Sequence, residues 1–294
     1  MSFIIENSVL ISYKEENGIQ EVVIPNSVTS IERRAFFGCK TLKSIIISDT
    51  VTSIGDFAFF DCSNLKSITI SGILTSIGDY AFHHTPWFEE KIKEEQPFII
   101  NNTLICGKNC KGSVIIPDTV TSIKERAFFK CKNLKSIVIP DSVTSIEEMT
   151  FYGCSKLKNV IISESVTSIE RDAFYNTPWF EEQIKENSLF IFKNILICGE
   201  NCKGSIVIPN TVNTIARSAF YGCKDLTDII IPNSVKSVED FAFWGCTNLK
   251  SIAIPNSVTS IGEKSFDKST IQCKANSFAY EYCKQNHLNV EVLE

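Results

Sequence analysis

The sequence repeats itself with a 23-residue period, and this period constrains the fold more than any other feature of the chain. Isoleucine marks the period, with two slots missing, at Ile24, Ile47, Ile70, Ile116, Ile139, Ile162, Ile208, Ile231 and Ile254. Each gap is two periods wide, so three ordinary repeats and one modified repeat form a larger, 92-residue superrepeat. A single repeat cannot bury its apolar faces, whereas stacked repeats can. The period therefore predicts a solenoid with one continuous core, although 294 residues alone would suggest two domains.

The ordinary repeat predicts a strand, a second extended segment and a helical turn. In the repeat that begins at Leu134 the predicted inward positions are Leu134, Ile137 and Ile139, and the outward positions are Ser136 and Val138. Pro140 ends this strand because it cannot donate a ladder hydrogen bond. Residues 143–146 form a second extended segment, and residues 125–129 of the preceding repeat have the spacing of one helical turn.

Two repeats are expanded by a helix and a hairpin. Thr85 and Thr177 are predicted N-caps, because each is followed by proline and then by acidic residues. A hairpin follows each helix, with Asn101-Asn102 or Lys193-Asn194 at its centre, and a third is predicted at the N-terminus around Glu6-Asn7. Asparagine holds the second turn position in all three, where we expect positive φ.

The repeat resembles the BspA-type leucine-rich repeat. The resemblance rests on the run Ile-Pro-(Asp/Asn)-(Ser/Thr)-Val-Thr-Ser-Ile, followed by Ala-Phe, Cys and Leu-Lys-Ser-Ile, which residues 116–137 show nearly unbroken. The Thr-Pro-Trp-Phe helix with its hairpin, and residues 275–292, resemble variant units of that family. The departures are Ser48, Ser71 and Ser163 in place of proline, and Thr150 and Ser265 in place of alanine.

This resemblance implies an α/β repeat solenoid of the leucine-rich-repeat class. The expected parts are short strands on a concave face, short helical turns, hairpin-containing variant repeats and a helical C-terminal cap. We expect one domain over residues 1–294, with an N-terminal hairpin and cap at 1–23, repeats at 24–269 and a cap at 270–294. At family level the resemblance implies adhesion and protein binding on the surfaces of bacteria and some protists, and it implies no catalytic residue.

Twelve cysteines invite a metal or redox interpretation, and six of them keep the 23-residue period. These six are Cys39, Cys62, Cys131, Cys154, Cys223 and Cys246. Each follows Ala-Phe or its equivalent at a core position, where cysteine packs as a small hydrophobe, so we expect buried thiols that are mostly reduced. Parallel Cβ vectors would also give poor disulfide geometry. A bridge between Cys106 and Cys110, or between Cys198 and Cys202, remains open, but no further ligand completes a zinc site.

Charge and hydropathy exclude several functions. The net charge of −5 and the pI near 5.4 argue against nucleic acid as a partner. No run approaches the roughly 18 apolar residues of a bilayer-spanning helix, so we expect no membrane insertion. The chain would be cytoplasmic if Met1 is its native start, and secreted or on the cell surface if an export signal was removed. His83, His84 and His287 suggest no Ser-His or Cys-His pair, so we expect no catalytic residue, no cofactor and no metal.

The candidate binding site is the outward column of the strands. Its members are Val23, Ile46, Thr69, Ile115, Val138, Ile161, Val207, Ile230 and Ala253. We expect them on one continuous sheet, with Ile162 buried on the opposite face. Eight of the nine are apolar, which indicates an interaction surface, although β-branched residues also suit any sheet. A lysine column beside the strand starts, at Lys43, Lys66, Lys135, Lys158 and Lys250, is either a solvated rim or a stripe for an acidic partner.

We therefore expect a non-enzymatic interaction or adhesion module that binds a protein, or alternatively a glycan, on the concave sheet. Two alternatives stay open: a structural repeat segment of a larger cell-surface protein, and a hydrolase that uses solenoid carboxylates. The sequence identifies neither the ligand nor the oligomeric state.

Overall fold

The computed structural model describes residues 2–16, 18–170, 172–184, 189–199 and 202–294, so residues 1 and 17 of the predicted N-terminal cap lie outside it. The chain forms two compact units, residues 1–168 and 169–294. The strands of the first unit are β1 Ser2–Glu6, β2 Val9–Lys14, β3 Glu21–Val23, β4 Ser30–Ile31, β5 Ser44–Ile47, β6 Ser53–Ile54, β7 Ser67–Ile70, β8 Ser76–Ile77, β9 Phe98–Ile100, β10 Thr103–Cys106, β11 Gly112–Ile115, β12 Ser122–Ile123, β13 Leu134–Ile139, β14 Ser145–Ile146 and β15 Asn159–Ile162. β16 Ser168–Ile169 lies at the division.

The second unit repeats the same plan. Its strands are β17 Phe190–Phe192, β18 Ile195–Cys198, β19 Gly204–Val207, β20 Thr214–Ile215, β21 Leu226–Ile230, β22 Ser237–Val238, β23 Ser251–Ala253, β24 Ser260–Ile261, β25 Thr270–Lys274 and β26 Val290–Leu293. The three α-helices of the described residues are α1 Pro86–Lys91, α2 Pro178–Gln183 and α3 Phe278–Gln285. None is long and apolar enough to cross a bilayer.

Each ordinary repeat forms one rung of the solenoid. A rung contributes one longer and one shorter strand to separate parallel sheets. In the first unit the longer strands form two sheets, β3-β5-β7 and β11-β13-β15. The shorter strands form β2-β4-β6-β8, to which β1 adds antiparallel, and β12-β10, to which β9 adds antiparallel. In the second unit the corresponding sheets are β19-β21-β23-β25-β26 and β17-β18-β20-β22-β24. The inward positions of the predicted alternation are confirmed, because Leu134, Ile137 and Ile139 are fully buried, whereas the predicted outward residues Ser136 and Val138 are half-buried.

A third ladder of hydrogen bonds, the turn ladder, runs along the segments that the sequence predicted as helical turns. In the first rung the N–H groups of Arg34, Phe36 and Gly38 donate to carbonyl oxygens one rung later, at distances of 3.0, 2.8 and 2.9 Å. The intervening N–H groups of Ala35 and Phe37 bond within their own rung. Alternate donors thus hold adjacent rungs together much as a β-ladder does.

The prediction of helical turns is therefore wrong, because residues in the left-handed region interrupt each turn. A column of non-glycine residues with φ between 50° and 61° recurs in the turns, at Arg34, Phe57, Tyr80, Arg126, Met149, Asp172, Ser218, Phe241 and Lys264. Positive φ costs such residues about 1–2 kcal/mol each. The rung-to-rung hydrogen bonds require it, since it turns alternate N–H groups toward the next rung.

The two capped helices form as predicted. The Oγ1 atoms of Thr85 and Thr177 accept hydrogen bonds of 3.1 Å from the N–H groups of Phe88 and Phe180. The same hydroxyls donate to carbonyl oxygens of the preceding turn at 2.7 Å. Both threonines are fully buried, so each cap also satisfies its own hydroxyl.

The hairpins also form, but two details of their turns differ from the prediction. Glu6 pairs with Val9, so the two-residue turn is Asn7-Ser8 and not Glu6-Asn7. In the other two hairpins the first turn residue has positive φ, at Asn101 and at Lys193, and not the second. A turn with positive φ only at its first residue also matches the strand twist, which is why the second asparagine is not required in that conformation.

The core of each unit is built from stacked columns of the same residue type. Phenylalanine rings stack between successive rungs, with centroids 4.9 Å apart for Phe36 and Phe59 and 5.1 Å apart for Phe220 and Phe243. Threonines form a ladder of hydrogen bonds in the same way: Thr52 and Thr75 each donate a side-chain hydrogen bond to the carbonyl oxygen of the equivalent residue one rung earlier. Like residues therefore satisfy one another along the stack.

Candidate functional site

The register of the strands brings the nine outward residues into line. In the first unit Val23 lies opposite Ile46 and Ile46 opposite Thr69, while Ile115 lies opposite Val138 and Val138 opposite Ile161. In the second unit Val207, Ile230 and Ala253 are partners in the same way, and Gln272 and Glu291 extend their column. The nine residues thus lie on three separate sheets, which differs from the one continuous sheet expected from the sequence. The modified repeats interrupt the column, because each inserts a helix and a hairpin.

Eight of the nine side chains are exposed, and Val138 is half-buried. Among the valines and isoleucines of the column Ile115 is the most open, with 75% of its surface exposed. The inward neighbours are buried, as expected, except Ile70, Val160, Ile162 and Ile206, which are half-buried. The expectation that Ile162 is a core residue is therefore wrong; it belongs to β15, an edge strand of its sheet, and no strand of the described residues pairs with its outer side.

Polar and basic groups border this apolar column. On one side lie the residues two positions earlier on each strand, which are largely serine; Ser205 there donates a hydrogen bond of 3.0 Å to Asp228. Beyond them the five lysines of the predicted rim are all exposed. The column is thus a strip of mostly exposed apolar side chains with a polar, cationic border.

The cysteines of the rungs lie in the core and make short hydrogen bonds. The Sγ atoms of Cys62, Cys154 and Cys246 each donate to the carbonyl oxygen 26 residues earlier, at 3.0, 3.1 and 3.0 Å. Burial raises the pKa of the Cys110 and Cys154 thiols to about 12, so these sulfurs stay protonated and are poor nucleophiles. All twelve cysteines carry thiols, those of the two C-x3-C pairs included.

Within the described part of the chain, no three His, Cys, Asp or Glu side chains are arranged to hold a metal ion.

A second exposed column, which the sequence reasoning missed, follows the turn ladder. In eight rungs the residue after the stacked core phenylalanine is aromatic or histidine, namely Phe37, Phe60, His83, Phe129, Tyr152, Tyr175, Tyr221 and Trp244. Each of these residues is exposed or half-buried. Phe37 and Phe60 stack at 5.6 Å, and the guanidinium of Arg34 lies 5.5 Å from the Phe37 ring. The period alone could have revealed this column, because the aromatic residue recurs at a fixed place beside the core phenylalanine.

His83 interrupts the aromatic column with a titratable group. Its ring packs 4.4 Å from Phe88 and 4.9 Å from Tyr80, and its Nδ1 is buried without a hydrogen-bond partner. Burial, together with the positive charges of His84 and Lys108, lowers the pKa of His83 to about 4, and Asp79 opposes that shift. The imidazole is therefore neutral near pH 7 and packs as an aromatic ring.

The family model described as "BspA type Leucine rich repeat region (6 copies)" matches residues 11–104, 99–202 and 199–289. These ranges cover nearly the whole sequence and include both modified repeats. A search of the curated proteins finds no match.

Three solved structures illustrate the likeness. A leucine-rich cell surface protein from Faecalibacterium prausnitzii is 25% identical over 99% of this chain and 93% of its own, with a TM-score of 0.35. The Treponema pallidum leucine-rich repeat protein is 22% identical over 57% of this chain and 82% of its own, with a TM-score of 0.39. A leucine-rich repeat protein from Bacteroides ovatus is 21% identical over 98% and 94%, with a TM-score of 0.32. Because these TM-scores are low, the fold assignment rests on the repeat pattern, the described strands and the family match.

Proposed function

The chain belongs to the BspA-type leucine-rich repeat family, and from that premise we propose that it is a non-enzymatic interaction module whose outward strand column binds a protein ligand. The carrying observation is that seven of the eight apolar members of this column are exposed in phase on parallel sheets. β-propensity alone does not require large aliphatic side chains at positions that face water. Such side chains stand there at Ile46, Ile115, Ile161 and Ile230. Adhesion on a cell surface is the role that the proposal favours.

The same proposal keeps residues 1–294 as one solenoid domain, with α3 and β26 covering its C-terminal end. It assigns no catalytic residue. The two alternatives are a glycan ligand and a passive repeat segment of a larger surface protein.

The test compares two isoleucines that are equally exposed but differently placed. Ile115 lies in the column with 75% of its surface exposed, and Ile73 lies in a loop with 76% exposed. The wild-type chain, Ile115→Glu and Ile73→Glu would be immobilised and probed with a panel of purified extracellular matrix proteins and with a glycan array. We expect Ile115→Glu to lose binding at least tenfold to a protein that the wild type captures, and Ile73→Glu to retain it.

Equal capture by all three forms would contradict the proposal, and so would capture of glycans alone. Thermal melts of the three forms establish that each is folded.

A further inference from the structure

A basic cavity lies in the first unit, and none of its lining residues belongs to the outward strand column. It is a solvent-open depression of about 450 Å³, lined by Lys93, Lys108, Lys111, Lys130 and Lys132 together with Glu95 and two asparagines. The lining comes from three places: the segment after α1, the loop between β10 and β11, and the turn that precedes β13. Five lysines converge there in a protein whose net charge is −5. This concentration of positive charge needs an explanation, because like charges repel.

The lysines are only partly neutralised by the protein. Lys93 forms an ion pair with Glu90, and Lys111 forms one with Glu95. The ammonium group of Lys130 lies 5.0 Å from the centre of the Phe129 ring. Lys108 and Lys132 are exposed and have no ion-pair partner within the described ranges. The cavity therefore holds positive charge that only a ligand or solvent ions can balance.

Two asparagines add hydrogen-bonding groups, and a sixth lysine stands close by. Asn109 donates from Nδ2 to the carbonyl oxygen of Ile92 at 2.7 Å. Asn133 accepts at Oδ1 from the Nζ atom of Lys156 at 3.1 Å, which brings a further cation to the cavity. Its Nδ2 donates to no acceptor in the described ranges. The asparagines thus hold the loop in place and leave an amide donor beside the lysines.

The charge is particular to this superrepeat and is not a general property of the repeat. At the equivalent positions of the next superrepeat the sequence has Glu200 for Lys108, Gly222 for Lys130 and Asp225 for Asn133. The lining has five lysines against one glutamate, whereas the corresponding positions in the next superrepeat have three lysines against two acidic residues. A solvated rim inherited with the repeat would be expected to recur.

We infer that this cavity binds a small polyanionic saccharide, that is, a hydroxylated ring carrying several sulfate or phosphate groups. Its volume lies in the range of small-molecule sites, about 300–1,000 Å³, and has room for more than one oxyanion. The lining consists of lysine, glutamate and asparagine side chains, so it has no aromatic ring on which a nucleobase would stack. Lysine ammonium groups bind sulfate and phosphate as point charges, and the amides suit ring hydroxyls.

Isothermal titration calorimetry on the full chain tests the inference with sucrose octasulfate and inositol hexakisphosphate, and with uncharged sucrose and inositol as controls. We expect one strong site for at least one polyanion and none for the uncharged sugars. The affinity should fall between about 50 and 200 mM NaCl, because screening weakens the attraction between exposed charges. Binding of only one polyanion would identify sulfate or phosphate as the recognised group.

The decisive comparison uses two variants with the same change in charge. The double variant Lys108→Glu with Lys132→Glu should weaken binding by roughly tenfold or more, equivalent to about 1.4 kcal/mol or more. The control, Lys203→Glu with Lys224→Glu, alters the next superrepeat and should leave the affinity within about twofold. Absence of binding by the wild type, or equal losses in the two variants, would overturn the inference. Ile115→Glu should bind the polyanion normally, so this test is independent of the strand column.

Discussion

The thiol of Cys154 donates a hydrogen bond to the carbonyl oxygen of Phe128, 3.1 Å away and one rung earlier in the chain. The same bond joins Cys62 to Phe36 and Cys246 to Phe220. A small apolar side chain with one weak donor fits this position, because it fills the core and also satisfies a buried carbonyl group. The cysteine column is thus explained by packing, without a metal or a redox couple.

From this burial we expect the thiols to be mostly reduced in the native protein. Denaturing the purified chain without reductant and titrating with a chromogenic disulfide should count close to twelve thiols. A count of six or fewer would contradict the placement of the cysteine column in the core. Before denaturation the same reagent should react slowly, because the thiolate fraction of buried groups such as Cys154 is very small at neutral pH.

Acid should destabilise the first unit through His83. Its pKa in the folded protein, about 4, lies below the usual 6.5, so the unfolded chain takes up a proton that the folded chain excludes. The stability associated with neutral His83 is therefore complete above pH 6.5 and is lost as the pH falls toward 4, by up to about 3 kcal/mol. Urea unfolding of the wild type and of His83→Phe at pH 7 and pH 4.5 measures this difference.

Phenylalanine is the matched replacement, because Phe60 and Phe129 occupy the equivalent position in other rungs. We expect His83→Phe to lose less stability than the wild type over that pH interval. The same loss in both proteins would show that groups other than His83 cause the loss of stability at low pH.

The two faces of the long strands should respond differently to substitution. Ile115→Glu, on the exposed face, should change the free energy of unfolding by no more than about 0.5 kcal/mol. Ile139→Ala, at 1% exposure, should cost about 2–5 kcal/mol through lost burial and the cavity left behind. Ile162→Ala should fall below that range, because its side chain is half-buried. Chemical denaturation of the three variants compares them, and equal losses for Ile115→Glu and Ile139→Ala would mean that the faces are assigned wrongly.

Gly107 should not tolerate a side chain. A Cβ at this position would lie 2.1 Å from Cε1 of Phe128, and Gly199 meets Phe220 in the same way at 2.2 Å. We expect Gly107→Ala to cost about 1–3 kcal/mol or more, because the ring of a close-packed core cannot move aside freely. Thermal denaturation would measure the loss.

The double variant Gly107→Ala with Phe128→Leu provides the control. Shortening the ring removes the clash, so the double variant should lose less stability than the sum of the two single variants. Strict additivity would show that Gly107 is required for another reason.

The sequence predicted the elements that depend on local chemistry and on the period. The caps at Thr85 and Thr177 follow from side chains that satisfy helix donors, and the alternation in β13 follows from burial on one face. The cap and the alternation can both be recognised from residues that are close together in the sequence. The apolar column was likewise visible, since its members recur in phase and their register follows from the repeat.

The turn ladder could not be predicted in this way. Nothing in the local sequence marks Phe57 or Phe241 for positive φ, since bulky residues disfavour it. Their conformation is imposed by hydrogen bonds to the following rung, which a local pattern cannot show. The basic cavity could not be predicted from the sequence for a related reason. Its lysines are scattered along the sequence from Lys93 to Lys132 and converge only when the modified repeat is folded.

The turn ladder also limits how genes of this kind can lengthen. Within the turn ladder, the N–H groups that bond outside their own rung, such as those of Arg34 and Phe36, find their acceptors in the rung that follows. A duplication of one whole rung supplies every donor with an equivalent acceptor, and a duplication of a whole superrepeat also copies the helix and hairpin in phase. An insertion one position longer or shorter than a rung would shift inward side chains to the surface and leave alternate donors facing side chains. Evolutionary change in length is therefore expected in whole rungs.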